Sequence, residues 1–352
     1  MRFKKLSVIM ALAIIASFFV FSANAKAASE VSGRMYFQAG MDLDDKQEAT
    51  NDTAYSYQIK RVYLTYKNKL NDVWSVMVRT DVKAQDFGGK DRYSLFIKNA
   101  YFQGKWAFGA AKITLQGGMF GTPNTGFMYS MSDYRWVDDT YLDQSKVVLP
   151  NGNYGETSAD MGFKVKIDIS MLSITIANVN GEGFGDVEDA ANSGKAWYGN
   201  VTVNPIENLY IAGIGRYERE LIDNDNVPTV ETNVYYYGAG IAWKTDMLKI
   251  GAIYTMGEKE TDGTTVNEMA LMDAYLNMNL ESVIGMPVLV MANYAFGEDD
   301  KFDDSKVQVL AAGVGYKFNK NIRCLLYYQQ LMYDTSGVDD DQALYLKTEA
   351  KF

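Results

Sequence analysis

The chain alternates. From Val31 to Phe352 apolar residues return at every second position, in segments of about ten residues or slightly more. Period 2 marks strands with one apolar and one polar face. Strands are expected near 31–41, 54–69, 73–83, 94–104, 111–120, 159–169, 172–180 and 196–204. The series continues at 209–218, 231–243, 247–257, 267–279, 287–296, 306–318, 322–333 and 343–352. Soluble strands usually run about five or six residues, whereas a tilted membrane-crossing strand needs roughly 9–11. The connections alternate too. Short ones include Leu70-Asn71-Asp72, Lys244-Thr245-Asp246 and Asn319-Lys320-Asn321; long ones include 42–53, 121–158, 181–195, 218–231, 258–266, 297–305 and 334–342. A soluble sandwich has no reason to keep every second connection short, but a barrel with tight periplasmic turns and longer external loops does. The expected fold is all-β: a transmembrane antiparallel β-barrel of about 16 strands. Poor turns at 103–110 and 280–286 leave 14 or 18 open.

The first residues fit an exported chain. Arg2, Lys4 and Lys5 precede an uncharged run from Leu6 to Phe21, then Ser22-Ala23-Asn24-Ala25. A basic stretch, an apolar stretch and an Ala-x-Ala site make a secretory signal peptide, residues 1–25, with 26–352 as the barrel. The one cysteine, Cys324, rules out an internal disulfide framework and reads as a small wall residue.

Charge sets the phase of each strand. A Lys or Arg facing lipid near the midplane costs about 2–4 kcal/mol, while one facing an aqueous lumen is solvated. Met161, Phe163, Val165, Ile167 and Ile169 therefore face lipid, and Lys164, Lys166 and Asp168 face inward. Likewise Trp74, Val76 and Val78 point out while Ser75, Arg79 and Asp81 point in. Trp74, Trp243, Phe318 and Phe352 fall near short turns, and Phe120, Tyr254 and Phe296 near long loops, as two aromatic belts require. Lys60 and Lys98 resist, because each sits on the lipid side or between apolar neighbours; a β-bulge would re-aim either. Most of the 44 acidic residues lie in the long loops, against fewer than a third of the 34 basic ones, so an acidic rim is expected over a moderately basic wall.

Catalytic chemistry is missing. The sequence has no histidine, which removes the imidazole base of hydrolytic barrels and the usual zinc sites. Asp42-x-Asp44 lacks the glycine and terminal Glu of a calcium loop. No enzyme activity, metal or cofactor is expected, and a net charge of −10 argues against nucleic acid as a partner.

Sixteen strands enclose more space than side chains fill, leaving an aqueous channel. The third external loop, 121–158, is the longest and mixes aromatics with charges in GFMYSMSDYRWVDDTYLD. It is expected to fold into the lumen as a constriction, with Asp133, Arg135, Asp138, Asp139 and Asp143 facing Arg61 and Arg79 across the pore. An external plug or an inter-subunit contact is the other reading of this loop.

With these features the chain resembles bacterial trimeric porins. IKRVYLTYKNKLNDVWSVMVRTDV, then LFIKNAYFQGKW and LQGGMFGTPNTGF, look like the N-terminal half of phosphate-selective-type porins, over residues 54–127. The resemblance implies a homotrimer in outer-membrane lipid passing small anions along a basic lumen, with Arg61 and Arg79 on its wall. Few arginines and acidic loops depart from that pattern, so the general expectation is passive diffusion of small hydrophilic solutes and ions. The alternative is a structural or adhesive surface barrel with a plugged lumen, whose acidic loops bind cations or a ligand. The closing LYLKTEAKF is expected to pair with the first strand near Arg34–Met41, since an open edge in lipid leaves backbone groups unsatisfied. Phe352 also resembles the terminal aromatic that outer-membrane assembly machinery reads.

Overall fold

The computed structural model describes residues 28–43, 55–86, 91–149, 154, 156–181, 183–184, 194–224, 227–300, 306–334 and 339–352. The signal-peptide expectation for residues 1–25 lies outside them. Sixteen strands form one closed barrel. They are β1 Ala28–Asp42, β2 Tyr55–Lys69, β3 Trp74–Asp86, β4 Asp91–Phe108, β5 Ala111–Phe120 and β6 Asp160–Ile169. Then come β7 Leu172–Val179, β8 Lys195–Val203, β9 Leu209–Asn224, β10 Val227–Lys244 and β11 Leu248–Thr261. The last are β12 Thr264–Asn279, β13 Val288–Asp299, β14 Val307–Lys317, β15 Ile322–Tyr333 and β16 Asp341–Lys351. No described helix is long and apolar enough to cross a membrane.

The seam forms where the sequence placed it. β16 pairs antiparallel with β1 from Arg34↔Lys351 to Asp42↔Ala343. Phe352 continues the ladder, exchanging backbone hydrogen bonds with Gly33 at 2.7 and 3.0 Å. Its ring lies across Gly33, where an added Cβ would collide with it. Only glycine permits that approach.

The short turns are built by local side-chain capture. Asn71 Oδ1 accepts from the backbone N–H groups of Val73 at 2.9 Å and Trp74 at 2.7 Å. Asn319 Oδ1 does the same for Asn321 and Ile322, at 2.7 and 2.9 Å. Such Asx captures pre-form a turn. The two doubtful connections also resolve. β4 runs on to Phe108 and turns at Gly109, which has φ of 59°, and a one-turn helix Glu281–Ile284 bridges β12 to β13.

Several elements differ from the sequence reading. The connection 258–266 is no loop: β11 and β12 run on to a two-residue turn at Asp262-Gly263, both with positive φ. That dipeptide favours a tight hairpin whose twist matches the strands. In the same way β9 and β10 extend into 218–231. Phe120 is fully buried on the lumen side beside Ala177, Val179, Ala196 and Tyr198, not in a lipid belt. It shares parity with Gln116 of β5, so alternation turns it inward.

Both problem lysines sit at bulges. β1 pairs Tyr36 with Arg61 and then Phe37 with Ile59, skipping Lys60. β3 pairs Arg79 with Asn99 and then Thr80 with Ile97, skipping Lys98. An extra residue shifts the side-chain phase, and both lysines line internal cavities.

The interior is divided. Inward residues of β9 to β15, among them Ile214, Ile253, Leu271, Met291, Val309 and Leu325, are buried and apolar. Segment 121–158 packs onto them through Met128, Tyr141, Leu142, Val148, Leu149 and Tyr154 in one core, continued by Tyr134, Trp136 and Val137. Each fully buried aliphatic or aromatic side chain contributes roughly 1.5–3 kcal/mol. The opposite wall, from β1 to β8, is more polar and borders the larger cavity, apart from the buried Phe120 cluster on β5, β7 and β8.

Candidate lumen and constriction

The segment after β5 starts with a helix, Pro123–Ser132, whose N-terminal proline fits the first turn. Asn124 Nδ2 ties it to the wall through the Gly215 carbonyl at 3.1 Å and the Tyr236 hydroxyl at 2.9 Å. Asp133 closes the helix in a left-handed conformation with φ of 53°. The chain then crosses the lumen as Tyr134–Asp143, with Tyr134 and Tyr327 sharing a hydroxyl hydrogen bond.

The charged groups meet in one layer. Arg61 on β2 gives Nη1 to Asp81 Oδ2 of β3 at 2.8 Å and Nη2 to Asp139 Oδ2 at 2.6 Å. Lys98, aimed inward by its bulge, lies 3.7 Å from the same Asp81 oxygen. Arg135 binds Asp139, and its Nη1 reaches Asp143 Oδ2 at 2.8 Å. The Tyr129 hydroxyl donates to Asp143 Oδ2 at 2.6 Å. Tyr63 lies beneath this cluster, with the Arg79 guanidinium 5.3 Å and the Lys98 ammonium 5.7 Å from its ring centre.

The seven predicted residues do not form one facing pair of rows. Asp139 alone of the loop acids reaches Arg61. Asp143 pairs within the loop with Arg135. Asp138 turns to Lys347 on β16 at 3.4 Å. Asp133 lies against Arg323 of β15 at 3.0 Å and Lys249 of β11 at 3.4 Å. Arg79 meets no loop acid; its Nε donates to Thr65 Oγ1 at 3.0 Å. The sequence reading missed Lys98, Lys347, Arg323 and Lys249 as partners. The bulge problem pointed at Lys98, but pairings across more than 100 residues, as Asp133 makes with Lys249 and Arg323 and Asp138 with Lys347, leave no local trace.

Electrostatics explain how these acids stay charged. Burial alone would raise the Asp139 carboxyl, but Arg135, Arg61 and Lys98 outweigh it and hold it well below the usual carboxylate range. Burial opposes Arg323 and Lys249 at Asp133 in the same way, and again the cations win.

Two cavities flank the layer. The larger, about 1320 Å³, opens toward the short turns, and basic side chains outnumber acidic ones on its walls by more than two to one. Lys67, Arg79, Lys105, Lys112, Lys164 and Lys166 descend along β2 to β6. The helix Pro123–Ser132 presents Gly126, Phe127 and Ser130 to this cavity and carries no charge. The smaller cavity, about 540 Å³, opens toward the long loops and includes Lys60, Asp138 and Lys347. Arg61, Asp81, Asp139 and Asp143 belong to neither and lie between them. Among the described residues no cluster could hold a metal ion.

This architecture defines a class: a closed sixteen-strand antiparallel barrel, here with its third long loop folded inward. Solved structures share the barrel. OmpT, an outer-membrane protein of Vibrio cholerae, aligns with a TM-score of 0.63 at 12% identity, over 94% of this chain and 99% of that one. The anion-selective porin of Comamonas acidovorans gives 0.67 at 10% identity, over 93% and 100%. The outer-membrane channel DcaP of Acinetobacter baumannii gives 0.60 at 13%, over 94% and 99%. Identities this low establish the fold alone. No protein-family pattern matches the sequence, and no curated protein matches it.

Proposed function

We propose that the protein is an outer-membrane porin through which small hydrophilic solutes and ions diffuse passively, with anions favoured. The observation that carries this is the pair of polar cavities separated by one ion-paired layer at the inward-folded loop, which reads as the constriction. Size at such a layer sets the cutoff, and wall charge biases ions. The anion preference rests on the basic wall of the larger cavity, because no acid on the helix Pro123–Ser132 opposes it. Arg61, Arg79, Arg135, Asp133, Asp138, Asp139 and Asp143 act as pore-lining or constriction residues in this reading. Solved porins and channels of the same fold support it, and one of them is described as a trimer form, so a homotrimer is the reading for assembly. Residues 1–25 then serve as the export signal.

Planar-bilayer recording tests the proposal. Purified, folded protein gives steady ohmic channels, and a KCl gradient gives a reversal potential of anionic sign. Gly126→Glu adds an acid where a new side chain meets nothing within 4 Å, and moves the reversal potential toward cations. Silent bilayers with folded protein sink the porin reading and favour the plugged surface barrel. An unchanged reversal potential in Gly126→Glu sinks the wall-charge account.

A further inference from the structure

The smaller cavity, about 540 Å³, lies on the long-loop side of the ion-paired layer, so a solute from outside meets it first. Its volume falls within the roughly 300–1,000 Å³ of small-molecule sites. Its chemistry differs from that of the basic cavity beyond the layer. The lysines on its wall, Lys60 and Lys347, are outnumbered by Asp42, Asp138 and Asp341. What it offers is an arrangement of groups, not a net charge. Asp42 ends β1 and Asp341 begins β16, at the mouth. Lys347 pairs with Gln38 across the seam, and Lys60 sits at the bulge beside Phe37 and Ile59, so both lysines lie deeper.

The two lysines are not equivalent. Lys347 is held by Asp138 at 3.4 Å, and its ammonium lies 4.5 and 5.1 Å from the ring centres of Tyr345 and Tyr327. Lys60 is exposed to the cavity and has no carboxylate within ion-pair distance among the described residues. An ammonium carries three donors and no acceptor. Lys60 is therefore an open counter-charge.

Two amides line the same space. Gln329 Nε2 donates to the Tyr141 hydroxyl at 3.0 Å, and Gln144 Nε2 donates to the Asp139 carbonyl at 2.8 Å. These bonds fix both side chains and leave both Oε1 atoms without a donor among the described residues. An amide oxygen only accepts, so a ligand that fits here brings O–H or N–H groups. The carboxylates at the mouth make the same demand. Gly40 keeps the space clear: the Tyr345 ring lies across its Cα, where an added Cβ would stand 2.8 Å from the ring.

We propose that this cavity captures sugar acids, polyhydroxylated monocarboxylates, with the carboxylate on Lys60 and the hydroxyls on Gln144, Gln329 and the acids at the mouth. The inference rests on the porin reading above and names a solute class for it. A halide or a plain carboxylate satisfies Lys60, but it brings no donor to the acceptors and meets the mouth acids as a like charge. A neutral sugar satisfies the acceptors, but it leaves Lys60 unmatched and gains nothing from the basic wall that follows. A sugar acid does both. A hydrogen bond to a charged group is worth about tenfold or more in affinity, so the two demands separate these solutes.

The test is planar-bilayer recording of the folded protein in KCl, with potassium glucuronate, potassium acetate, glucose or inorganic phosphate added to both sides. Glucuronate should block the ion current saturably, half-maximally at about tenfold lower concentration than acetate or glucose. Lys60→Met should bring glucuronate down to the level of glucose. Gln144→Leu combined with Gln329→Leu should bring it down to the level of acetate. Acetate, glucose or phosphate blocking as well as glucuronate overturns the sugar-acid site and leaves the porin standing. So does a ratio that stays unchanged in either folded variant. Silent bilayers overturn both. If the double variant does not fold, by heat-modifiable gel mobility, Lys60→Met decides alone.

Discussion

At the residue scale the protein is organised around Asp81. Its side chain is fully buried yet receives Arg61 at 2.8 Å and lies 3.7 Å from Lys98, whose own side chain is 5% exposed. Removing one member of a buried pair strands the other charge, at a cost of about 3–5 kcal/mol. Asp81→Ala should therefore lower barrel stability by that order, read as an earlier heat-modifiable transition. Asp81→Ala combined with Lys98→Met should recover much of the loss. An Asp81→Ala protein as stable as the parent would show that this charge is solvated after all. Alternation alone placed Arg61, Arg79 and Asp81 inward, and the misfit of Lys60 and Lys98 foretold two bulges. The partners of Asp133 and Asp138 were not legible. They lie on β11, β15 and β16, far along the chain, and depend on how the loop rests in the barrel.

At the element scale the loop is held in two different ways. Toward β9–β15 it is anchored by an apolar core, with Asp133 ion-paired to Lys249 and Arg323 beside it; toward β2 and β16 it is held by ion pairs. Leu142 is fully buried in that core. Leu142→Ala should cost about 2–5 kcal/mol of local packing and appear as noisier single-channel currents from a barrel that still closes. Quiet currents would mean that the ion pairs alone fix the loop. Glu156 makes the anchor sensitive to pH. Burial pushes its carboxyl up to about 8, although Arg216 pulls the other way and Thr125 N–H donates to it at 3.0 Å. Asp143 faces it as a further charge, with Tyr198 from β8. A carboxyl raised in the docked loop favours docking most below its ordinary value of 4.5, and that contribution is lost as pH rises through 8. Channel noise should grow as pH rises from 4.5 to about 8 in the parent and stay flat in Glu156→Gln. Equal pH dependence in both would place the titrating group elsewhere. The sequence announced an aromatic, charged loop, but not that half the barrel's inner surface is apolar to receive it. Inward Ile214, Leu271 and Val309 read locally like ordinary strand residues.

At the scale of the whole molecule, the first and last strands must meet before any of this exists. Phe352 exchanges two backbone hydrogen bonds with Gly33 and lies on its Cα. Deleting Phe352 should lower the yield of assembled barrel in the outer membrane, while the protein that does assemble conducts normally. Normal yield would mean that the terminal residue is dispensable to closure. A count near sixteen and the seam were legible, because period 2 and the cost of an open edge in lipid act on every strand alike; the poor turns at 103–110 and 280–286 left 14 or 18 strands open. Hairpin extensions such as β11–β12 were less so, since acidic, glycine-bearing stretches read equally well as loops.

The apolar inner wall has a further consequence for what an electrode or a sizing solute would register. A sixteen-strand circumference usually sets the expectation for bore, but here the helix Pro123–Ser132 and the chain after it fill one side of it. Water and ions are left a crescent along β1–β8. Unitary conductance should fall below that of an unobstructed pore of equal perimeter, and flat solutes should pass more readily than round ones of the same mass.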